Sequence, residues 1–486
     1  MPVIAGADNR RLSTTLETPG DHQLAHGWDG NVYLPECLIK LVKRRSSSGR
    51  WNRRSQPGKP SQSQRSYLSA DTDVAREFRK DIWKYNRAFS FTSVGVQQDH
   101  SVNRRPGCGP PVYRISGELY HASAALNPPA GRLPRYAQLY VIQPQEALAA
   151  RINQNLALDP VVMWGLQNML MIHHPLTQSY RHAYEILQEH QGDINYQVTL
   201  RLTPGTNRGV YNLPTVNEVA FILPGTIFTE PRDIVLRLHG GLLERISELN
   251  PAYATLQHPL LPHGTYKWHP GLRLTETEDQ RERRLGNRRR DFAARKEAGL
   301  ENDGEVNIDR KLTLSTYTVY RSHFRQNDFN TILRGGSLFC RYVVDMYASV
   351  DQQRLMWIQR NQTRFRTARL NHLQDANMND PDAGEIGQRI FLPLSYIGGP
   401  RNMAQNYQDA MAIARFYGKV DIFLTMTTNP KWPEIERLLP GQTAYDRPDL
   451  VVRVFQLKKQ ALIDRIVKDK VFGEVDAYVY TIKFQK

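Results

Sequence analysis

The sequence contains little cysteine and no long apolar run. Its 486 residues include three cysteines, Cys37, Cys108 and Cys340, which lie far apart and form no CxxC pair. That spacing argues against a disulfide framework or a cysteine-based zinc knuckle, and it favours a reducing compartment. The longest apolar stretch, residues 161–172, contains two amide side chains and is too short to span a bilayer, and the N-terminal residues lack the apolar core of a signal peptide. We therefore expect a soluble intracellular protein.

Acidic residues are outnumbered by basic ones. There are 64 Lys and Arg against 48 Asp and Glu, which gives a net charge of +16 at pH 7. This excess favours a polyanionic partner and makes a neutral metabolic enzyme a weaker hypothesis. Two runs hold much of it: residues 40–54, with seven basic and no acidic residues, and residues 281–297, with eight basic and three acidic ones. The first run is typical of a solvated linker, a nuclear-import signal or an arm that follows phosphates; the second is typical of an exposed insertion.

The length corresponds to about three domains of ordinary size. The turn-rich run ANMNDPDAGE, residues 376–385, marks the clearest boundary. We divide the chain into a basic, partly disordered segment at 1–77, an α+β region at 78–270, a charged insertion or linker at 271–310, a helical block at 311–380 and an α+β domain at 381–486.

Apolar spacing predicts helices in the middle of the chain. A helix pair is expected over residues 160–188, with a break at Pro175. His173 and His174 stand at that break, where a helix-end pair is a better interpretation than metal ligands, because adjacent side chains point in different directions. Residues 317–362 form the predicted helical block.

The pattern after residue 400 predicts a helix, a strand, a loop, a helix and a strand. Helical spacing covers 403–414 and 451–470, whereas VDIFLTMTT, residues 420–428, alternates like a buried strand. A loop is expected over 429–448. In the last strand Tyr478, Tyr480, Ile482 and Phe484 share one face, so both tyrosines are interpreted as sheet-core residues and not as nucleophiles. The whole predicts an α+β fold: a mixed helical N-terminal region followed by a sheet with helices on one face.

Several runs resemble one family in its own order. FLPLSYIGGPRNMAQNYQDAMAIARFYGKVDIFLTMTTNPKWPEI, residues 391–435, followed by DRPDLVVRVFQLK and YVYTIKFQK, closely resembles the helicase-like N-terminal region of Helitron transposon proteins. Upstream runs such as YNLPTVNEVAFILPG and NDFNTILRGGSLFCRYVVDMYA are similar to that region too, so the resemblance extends from about Gly27 onward.

The resemblance implies a rolling-circle replication-initiator (Rep) nuclease of the His-hydrophobic-His class, followed in full-length proteins by a DNA helicase. Residues 381–486 would then be the start of the Rep-like nuclease sheet, and Phe423 to Thr427 would be its first motif. Such enzymes nick single-stranded DNA with a tyrosine, while a divalent metal held by the two histidines polarises the scissile phosphate.

The residues that would carry this chemistry are missing from the sequence. There is no HxH triplet, and GxxxxGK[ST] has no match. We therefore expect no catalytic residue and no cofactor in this chain; a divalent metal and ATP are expected only for the full-length family protein. The leading hypothesis is a transposon-derived protein that binds single-stranded DNA without its own nicking or ATPase centre. The alternative is a partial chain of a nicking endonuclease and helicase whose catalytic residues lie downstream of Lys486, and a third is a purely structural or interaction protein.

A binding surface for DNA is predicted near the NPKWP turn. Lys431 would meet phosphates beside the ring of Trp432, which either stacks on bases or closes the edge of a core. Gly398 and Gly399, ahead of a helix, either offer backbone N–H groups to a phosphate or only reverse the chain. The nucleic-acid-binding candidates are Arg401, Thr425, Thr427, Asn429, Lys431 and Trp432.

Two expectations concern the ends of the chain. His22 and His26 form a lone i,i+4 pair, for which an exposed helix or loop is favoured over a metal site. The last strand is expected to leave an unpaired edge, which would promote aggregation. The location we predict is nuclear, and no membrane partner or small-molecule substrate is implied.

Overall fold

The computed structural model describes the chain in two compact units. We call them the terminal unit, residues 1–43, 96–119 and 343–486, and the central unit, residues 44–95 and 120–342. The residues described are 2–7, 10–15, 61–98, 115–192, 196–202, 220–224, 234–239, 243–250, 252–261, 268, 272, 282–283, 285–286, 312–325, 328–362, 392–439, 442–444 and 446–482. The basic run at 40–54, most of the run at 281–297, and His22 and His26 lie outside them.

The central unit begins with two capped helices, α1 (Gln62–Ser69) and α2 (Asp73–Phe89). The hydroxyl of Thr72 accepts a hydrogen bond from the Ala75 amide and so caps α2. Apolar residues three and four positions apart give α2 one buried face, which follows directly from the helical period. Its buried apolar residues are Ala75, Phe78, Ile82, Tyr85 and Phe89.

Three further helices each begin with a proline: α3 (Pro144–Gln154), α4 (Pro160–His173) and α5 (Pro175–Glu189). Proline suits the first turn because the N–H that it lacks would have no partner there. The predicted helix pair with its break at Pro175 is confirmed. His174 is the residue between the two helices; it is buried, and its ring lies 5.0 Å from that of Phe91.

Antiparallel strands form two small sheets in this part of the chain. One has the order β3 (Ser93–Gln98), β4 (Ile115–Ser123), β8 (Glu244–Ile246). The other places β5 (Gln197–Leu202) between β6 (Ala220–Pro224) and β7 (Ile234–Arg237). Val198, Thr199 and Leu200 of β5 are all fully buried, so both faces of this central strand are covered.

The predicted helical block at 317–362 is confirmed as helices separated by a turn. A short helix α6 (Tyr253–Gln257) precedes α7 (Leu314–Arg321), and α8 (Gly336–Arg360) follows the turn. Gly335 ends that turn, and a Cβ there would lie 2.7 Å from Leu261 Cδ2 and 3.1 Å from the backbone nitrogen of Phe339, so a larger residue would have to displace the leucine side chain. No helix within the described residues is both long and apolar enough to cross a membrane.

The terminal unit contains α9 (Pro400–Tyr417), α10 (Pro433–Leu438), α11 (Pro448–Val467) and β9 (Tyr478–Thr481). The hairpin of β1 (Pro2–Ala7) and β2 (Arg10–Thr15) joins β9 in a sheet of order β2-β1-β9, and α9 packs against the hairpin. Val3 is opposite Thr481 in the antiparallel pairing. The α+β fold class is therefore confirmed, and β9 has one edge covered by β1 while the other is unpaired within the described part of the chain.

Two predictions for the segment between α9 and α11 are wrong. Residues 420–428 form no strand: they lie in an exposed segment without regular secondary structure, in which Phe423 is 91% exposed. A strand needs ladder hydrogen bonds from a neighbour, and the strand that pairs with β9 is β1. The expected loop at 429–448 also contains the short helix α10, which begins at Pro433 and has Glu434 and Glu436 in its first turn.

Candidate nucleic-acid interface

The NPKWP turn leads from the exposed segment 420–428 into α10. Asn429 Oδ1 accepts a hydrogen bond from the Lys431 amide at 2.9 Å, and the Trp432 amide donates to the Asn429 carbonyl at 3.2 Å. These bonds close an Asx turn, the local device by which asparagine organises tight turns. Lys431 and Asn429 are exposed as a result, and Trp432 becomes the N-cap residue of α10.

The ring of Trp432 closes the edge of a small core. It is half-buried against a cluster of Ile435, Leu439 and Val454, which joins α10 to α11. Of the two interpretations offered by the sequence, stacking on bases or closing the edge of a core, the second describes how this tryptophan packs in the structure. Lys458 Nζ lies 5.0 Å from the ring centroid, within the range of a cation–π contact, so the ring also takes part in a charged surface.

Lys458 is held in place by an acidic residue of α10. Its Nζ lies 2.8 Å from Glu434 Oε1. The hydrogen bond from Lys458, with smaller contributions from the Glu434 backbone and from nearby positive charge, lowers the pKa of the Glu434 carboxyl. Since both side chains are substantially exposed, the pair orients Lys458 more than it stabilises the fold.

The next residue along α11 connects the helix to the last strand. Lys459 Nζ donates to Tyr480 Oη at 3.2 Å and lies 4.8 Å from the centre of that ring. The rings of Tyr478 and Tyr480 are parallel to within 8°, with centroids 6.5 Å apart. Both tyrosines are half-buried and Ile482 is buried, which confirms that these three residues share one face.

These contacts form two lysine–ring pairs on adjacent residues of α11, which we together call the lysine–aromatic strip. It consists of three rings and two ammonium groups contributed by the start of α10, by α11 and by β9: Trp432, Lys458, Lys459, Tyr480 and Tyr478. A buried ion pair stabilises the start of α11, where Arg447 Nε and Asp449 Oδ1 lie 2.9 Å apart with both side chains covered. Rings beside cations are the groups from which proteins build surfaces for single-stranded nucleic acid.

The glycine turn ahead of α9 has no free glycine amide for a phosphate. The Gly398 amide donates to Asn402 Oδ1 at 3.2 Å, and the Gly399 amide donates to the Tyr396 carbonyl at 3.1 Å. Gly398 has a φ of 86°, the left-handed conformation that favours glycine. The turn therefore serves to reverse the chain. Arg401, in the first turn of α9, has an exposed side chain.

The other predicted residues are placed apart from the strip. Thr425 and Thr427 stand on the exposed segment 420–428, and their side chains make no hydrogen bond within the described residues. Of the six candidates, only Trp432 belongs to the strip, while Asn429 and Lys431 form the turn that leads to it.

Sequence reasoning missed Lys458 and Lys459 and assigned Tyr478 and Tyr480 only to the core. A pair of lysines in VFQLKKQ on a predicted helix is a common solvated feature, so the pattern carried no specific signal. Packing of that helix beside β9 brings Lys459 to the ring of Tyr480.

Within the described residues, no cluster of three or more His, Cys, Asp or Glu side chains is arranged to hold a metal ion. The strip itself offers ammonium groups, which contact phosphates, and ring faces, which stack on bases.

Comparison with known proteins identifies the region that carries the strip. Residues 317–486 match the family model described as the Helitron helicase-like domain at the N-terminus, a span that includes α9, α10, α11 and β9. No curated protein matches the chain. A helicase-like domain indicates an interaction with nucleic acid. The segment from Tyr317 to Lys486 is therefore similar to the Helitron helicase-like domain, as its motifs predicted.

Proposed function

We propose that this chain binds single-stranded DNA through the lysine–aromatic strip. The observation that carries the proposal is a pair of lysine–ring contacts, Lys458 on Trp432 and Lys459 on Tyr480, with the ring of Tyr478 parallel to that of Tyr480. Unpaired bases expose their faces to aromatic side chains, whereas a duplex keeps its bases stacked on each other. The strip therefore favours a single strand over a duplex.

The charges around the strip support a phosphate backbone as its ligand. Lys431 is exposed beside Trp432, and Lys458 and Lys459 follow on α11, while Glu434 offsets one of these charges. Arg401, Thr425, Thr427 and Asn429 remain candidates for further backbone contacts, since hydroxyl, amide and guanidinium groups are common donors to phosphate. We propose them as secondary contacts only.

Origin and location belong to the same proposal. The match to a Helitron domain supports derivation from a transposon, and the basic run at 40–54 supports import into the nucleus. A fluorescent fusion of the full chain should accumulate in nuclei, and replacement of the seven basic residues of that run by glutamine should release it into the cytoplasm.

Fluorescence anisotropy with a labelled oligothymidylate tests the binding function. The full chain should bind with an affinity that falls as salt is raised, by about 0.7 in log–log slope for each phosphate that is neutralised. The double variant Lys458→Gln, Lys459→Gln should bind more weakly and lower that slope by about 0.7, the contribution of Lys459, because Glu434 already neutralises Lys458. Tyr480→Leu should weaken binding with little change in slope, because stacking on a ring is not an ionic contact.

Lys419→Gln is the matched control. Lys419 is exposed beyond the end of α9 and makes no ion pair or ring contact within the described residues. The substitution therefore removes one positive charge at a position outside the strip. Equal loss of affinity in Lys419→Gln and in the single variants Lys458→Gln and Lys459→Gln would show that only net charge matters. Absence of any anisotropy change at low salt would refute the proposal, and equal affinity for a duplex of the same length would remove its single-strand preference.

A further inference from the structure

The central unit contains a cavity that the proposed function does not use. It has a volume of about 60 Å³ and lies among a 3-10 helix (Tyr136–Tyr140), α3, α4 and α5. One water molecule needs roughly 10–15 Å³ of such space, so the cavity has room for a small polyatomic ion. Its polar lining consists of Tyr140, Arg151, Gln167, Thr177, Gln178 and Arg181.

A buried guanidinium forms part of the wall. Arg151 is 1% exposed. Its guanidinium group donates hydrogen bonds to the Ala88 carbonyl at 3.2 Å and to Gln167 Oε1 at 2.7 Å. The rings of Phe89 and Tyr140 lie 4.9 and 4.8 Å from its central carbon. Each of these partners is neutral, and no carboxylate of the described residues contacts Arg151. A buried charge of this kind is normally paired with an opposite charge.

The surroundings compensate this charge only in part. Ala88 lies in the last turn of α2, where the helix dipole supplies a partial negative charge. Burial raises the pKa of Tyr140 to about 12, so its hydroxyl is neutral at pH 7 and donates to the Phe89 carbonyl. Burial also lowers the pKa of Arg151, yet an arginine remains protonated at neutral pH.

A second cation lines the same cavity from α5. Arg181 is half-buried and forms no ion pair within the described residues. Gln178, one turn earlier on α5, is exposed, so the cavity is accessible from solvent on this side. The cavity is thus lined by two guanidinium groups and two glutamine amides, and by no acidic side chain.

We propose that this cavity binds a phosphate group. Guanidinium groups form paired, charge-assisted hydrogen bonds with phosphate oxygens, and the amide of Gln178 supplies a further donor at the entrance. A bound phosphate would provide the negative charge that Arg151 lacks. The site lies in the central unit and is independent of the lysine–aromatic strip, so either proposal can fail without the other.

Isothermal titration of the full chain with sodium phosphate, at ionic strength held constant with sodium chloride, tests the site. Saturable binding of one phosphate per chain is expected. Arg181→Gln should weaken that binding at least tenfold without loss of the folded circular dichroism spectrum, because Arg181 is not part of a buried hydrogen-bond network. Arg132→Gln is the control: Arg132 is exposed, is no lining residue and should leave phosphate affinity unchanged.

A second variant and a competition experiment complete the design. Arg151→Lys keeps a positive charge but loses the planar donor fork, and it should also weaken phosphate binding at least tenfold in chains that remain folded. A short oligonucleotide with a 5′-phosphate that displaces phosphate, where its 5′-hydroxyl counterpart does not, would identify a nucleic-acid end as the source; failure of both to compete would identify the free ion. No saturable heat with phosphate, or equal affinities of Arg181→Gln and Arg132→Gln, would overturn the proposal.

Discussion

At the scale of single residues, Glu434 determines how much positive charge the strip presents. Its carboxylate pairs with Lys458 at 2.8 Å, so one of the two strip lysines is partly neutralised before any ligand arrives. A competing phosphate has to displace that carboxylate. Glu434 is therefore a restraint on binding as well as a support for the geometry of Lys458.

Glu434→Gln should strengthen binding of an oligothymidylate. Removal of the carboxylate leaves Lys458 available to a phosphate, which should steepen the log–log salt dependence by about 0.7. Anisotropy titrations at several salt concentrations measure both quantities. Glu474→Gln is the control, because Glu474 pairs with Lys470 at 2.6 Å, away from the strip contacts, and should leave the slope unchanged. A weaker affinity in Glu434→Gln would show that orientation of Lys458 matters more than its free charge.

Tyr140 makes the free energy of unfolding of the central unit decrease at alkaline pH. Its pKa is about 12 in the folded protein because of burial, and that of an exposed tyrosine is about 10. A raised pKa means that the neutral form is favoured by folding, so this contribution is complete below pH 10 and is lost as the pH rises toward 12. The difference corresponds to roughly 3 kcal/mol over that range.

Tyr140→Phe tests this dependence. At pH 8 the variant should be less stable by about 1 kcal/mol, since it loses the hydrogen bond to the Phe89 carbonyl. Between pH 10 and 12 it should lose less stability than the wild type, so the difference between the two chains should shrink or reverse. Urea unfolding followed at a series of pH values measures it, and parallel curves for the two chains would contradict the prediction.

At the scale of elements, local capping explains where helices begin, and burial explains which segments matter for stability. Asp159 shows the first effect, with its carboxylate accepting hydrogen bonds from the amides of Val161 and Val162 at the start of α4. The segment 420–428 shows the second, because its apolar side chains are exposed although its alternating pattern is that of a strand.

Asp159→Ala should destabilise the start of α4 by about 1 kcal/mol. Two amides of the first turn lose their acceptor, so their exchange with solvent deuterium should accelerate. Hydrogen-exchange mass spectrometry over residues 159–165 measures the effect. Asp159→Asn is the matched control: asparagine is an equally good cap and should retain most of the protection. Equal acceleration in both variants would point to charge and not to capping.

Phe423→Ser should change the stability of the terminal unit by less than about 0.5 kcal/mol, because a side chain that is 91% exposed loses almost no burial. Ile435→Ala, at a residue of the same unit that is 1% exposed, should cost about 2–5 kcal/mol. Chemical denaturation of both variants gives the comparison. A large cost for Phe423→Ser would restore the buried strand that the alternation predicts.

At the scale of the whole molecule, the two ends of the sequence meet in one sheet. β1 pairs with β9 in antiparallel register, with Ile4 opposite Tyr480, so a strand near the start of the chain covers an edge near its end. An uncovered strand edge presents unpaired N–H and C=O groups to other chains. The hairpin of β1 and β2 thus protects the strand that carries the strip tyrosines.

Removal of residues 1–15 should reduce solubility. The deletion uncovers the edge of β9 that β1 occupies, and we expect aggregates in size-exclusion chromatography with light scattering at concentrations where the full chain is monodisperse. Adding Val479→Lys, at an exposed position of β9, should restore solubility because a charge on an edge strand opposes pairing. A monodisperse deletion variant would contradict the prediction.

Much of the helical content could be predicted from the sequence, and much of the site could not. The pair over 160–188 and the helix that contains 403–414 follow from spacing alone, because each helix satisfies its own hydrogen bonds through residues four positions apart. The prediction of a strand at 420–428 was wrong because a strand depends on a hydrogen-bonding partner that is distant in sequence. The burial of Arg151 could not be predicted from the sequence, because only the packing of α3 and α4 against neighbouring elements buries this residue.

The sequence by itself determined the positions of the main helices, the α+β class, the excess of positive charge and the likeness of its motifs to Helitron proteins. Each of these depends on composition, on nearby residues or on residue order. The tertiary structure decided that Trp432 closes a core edge, that Lys458 and Lys459 meet rings from α10 and β9, and that Arg151 and Arg181 line one cavity. These outcomes required the tertiary structure because packing between elements, and not local spacing, sets which side chains share a surface and which charges lose their contact with water.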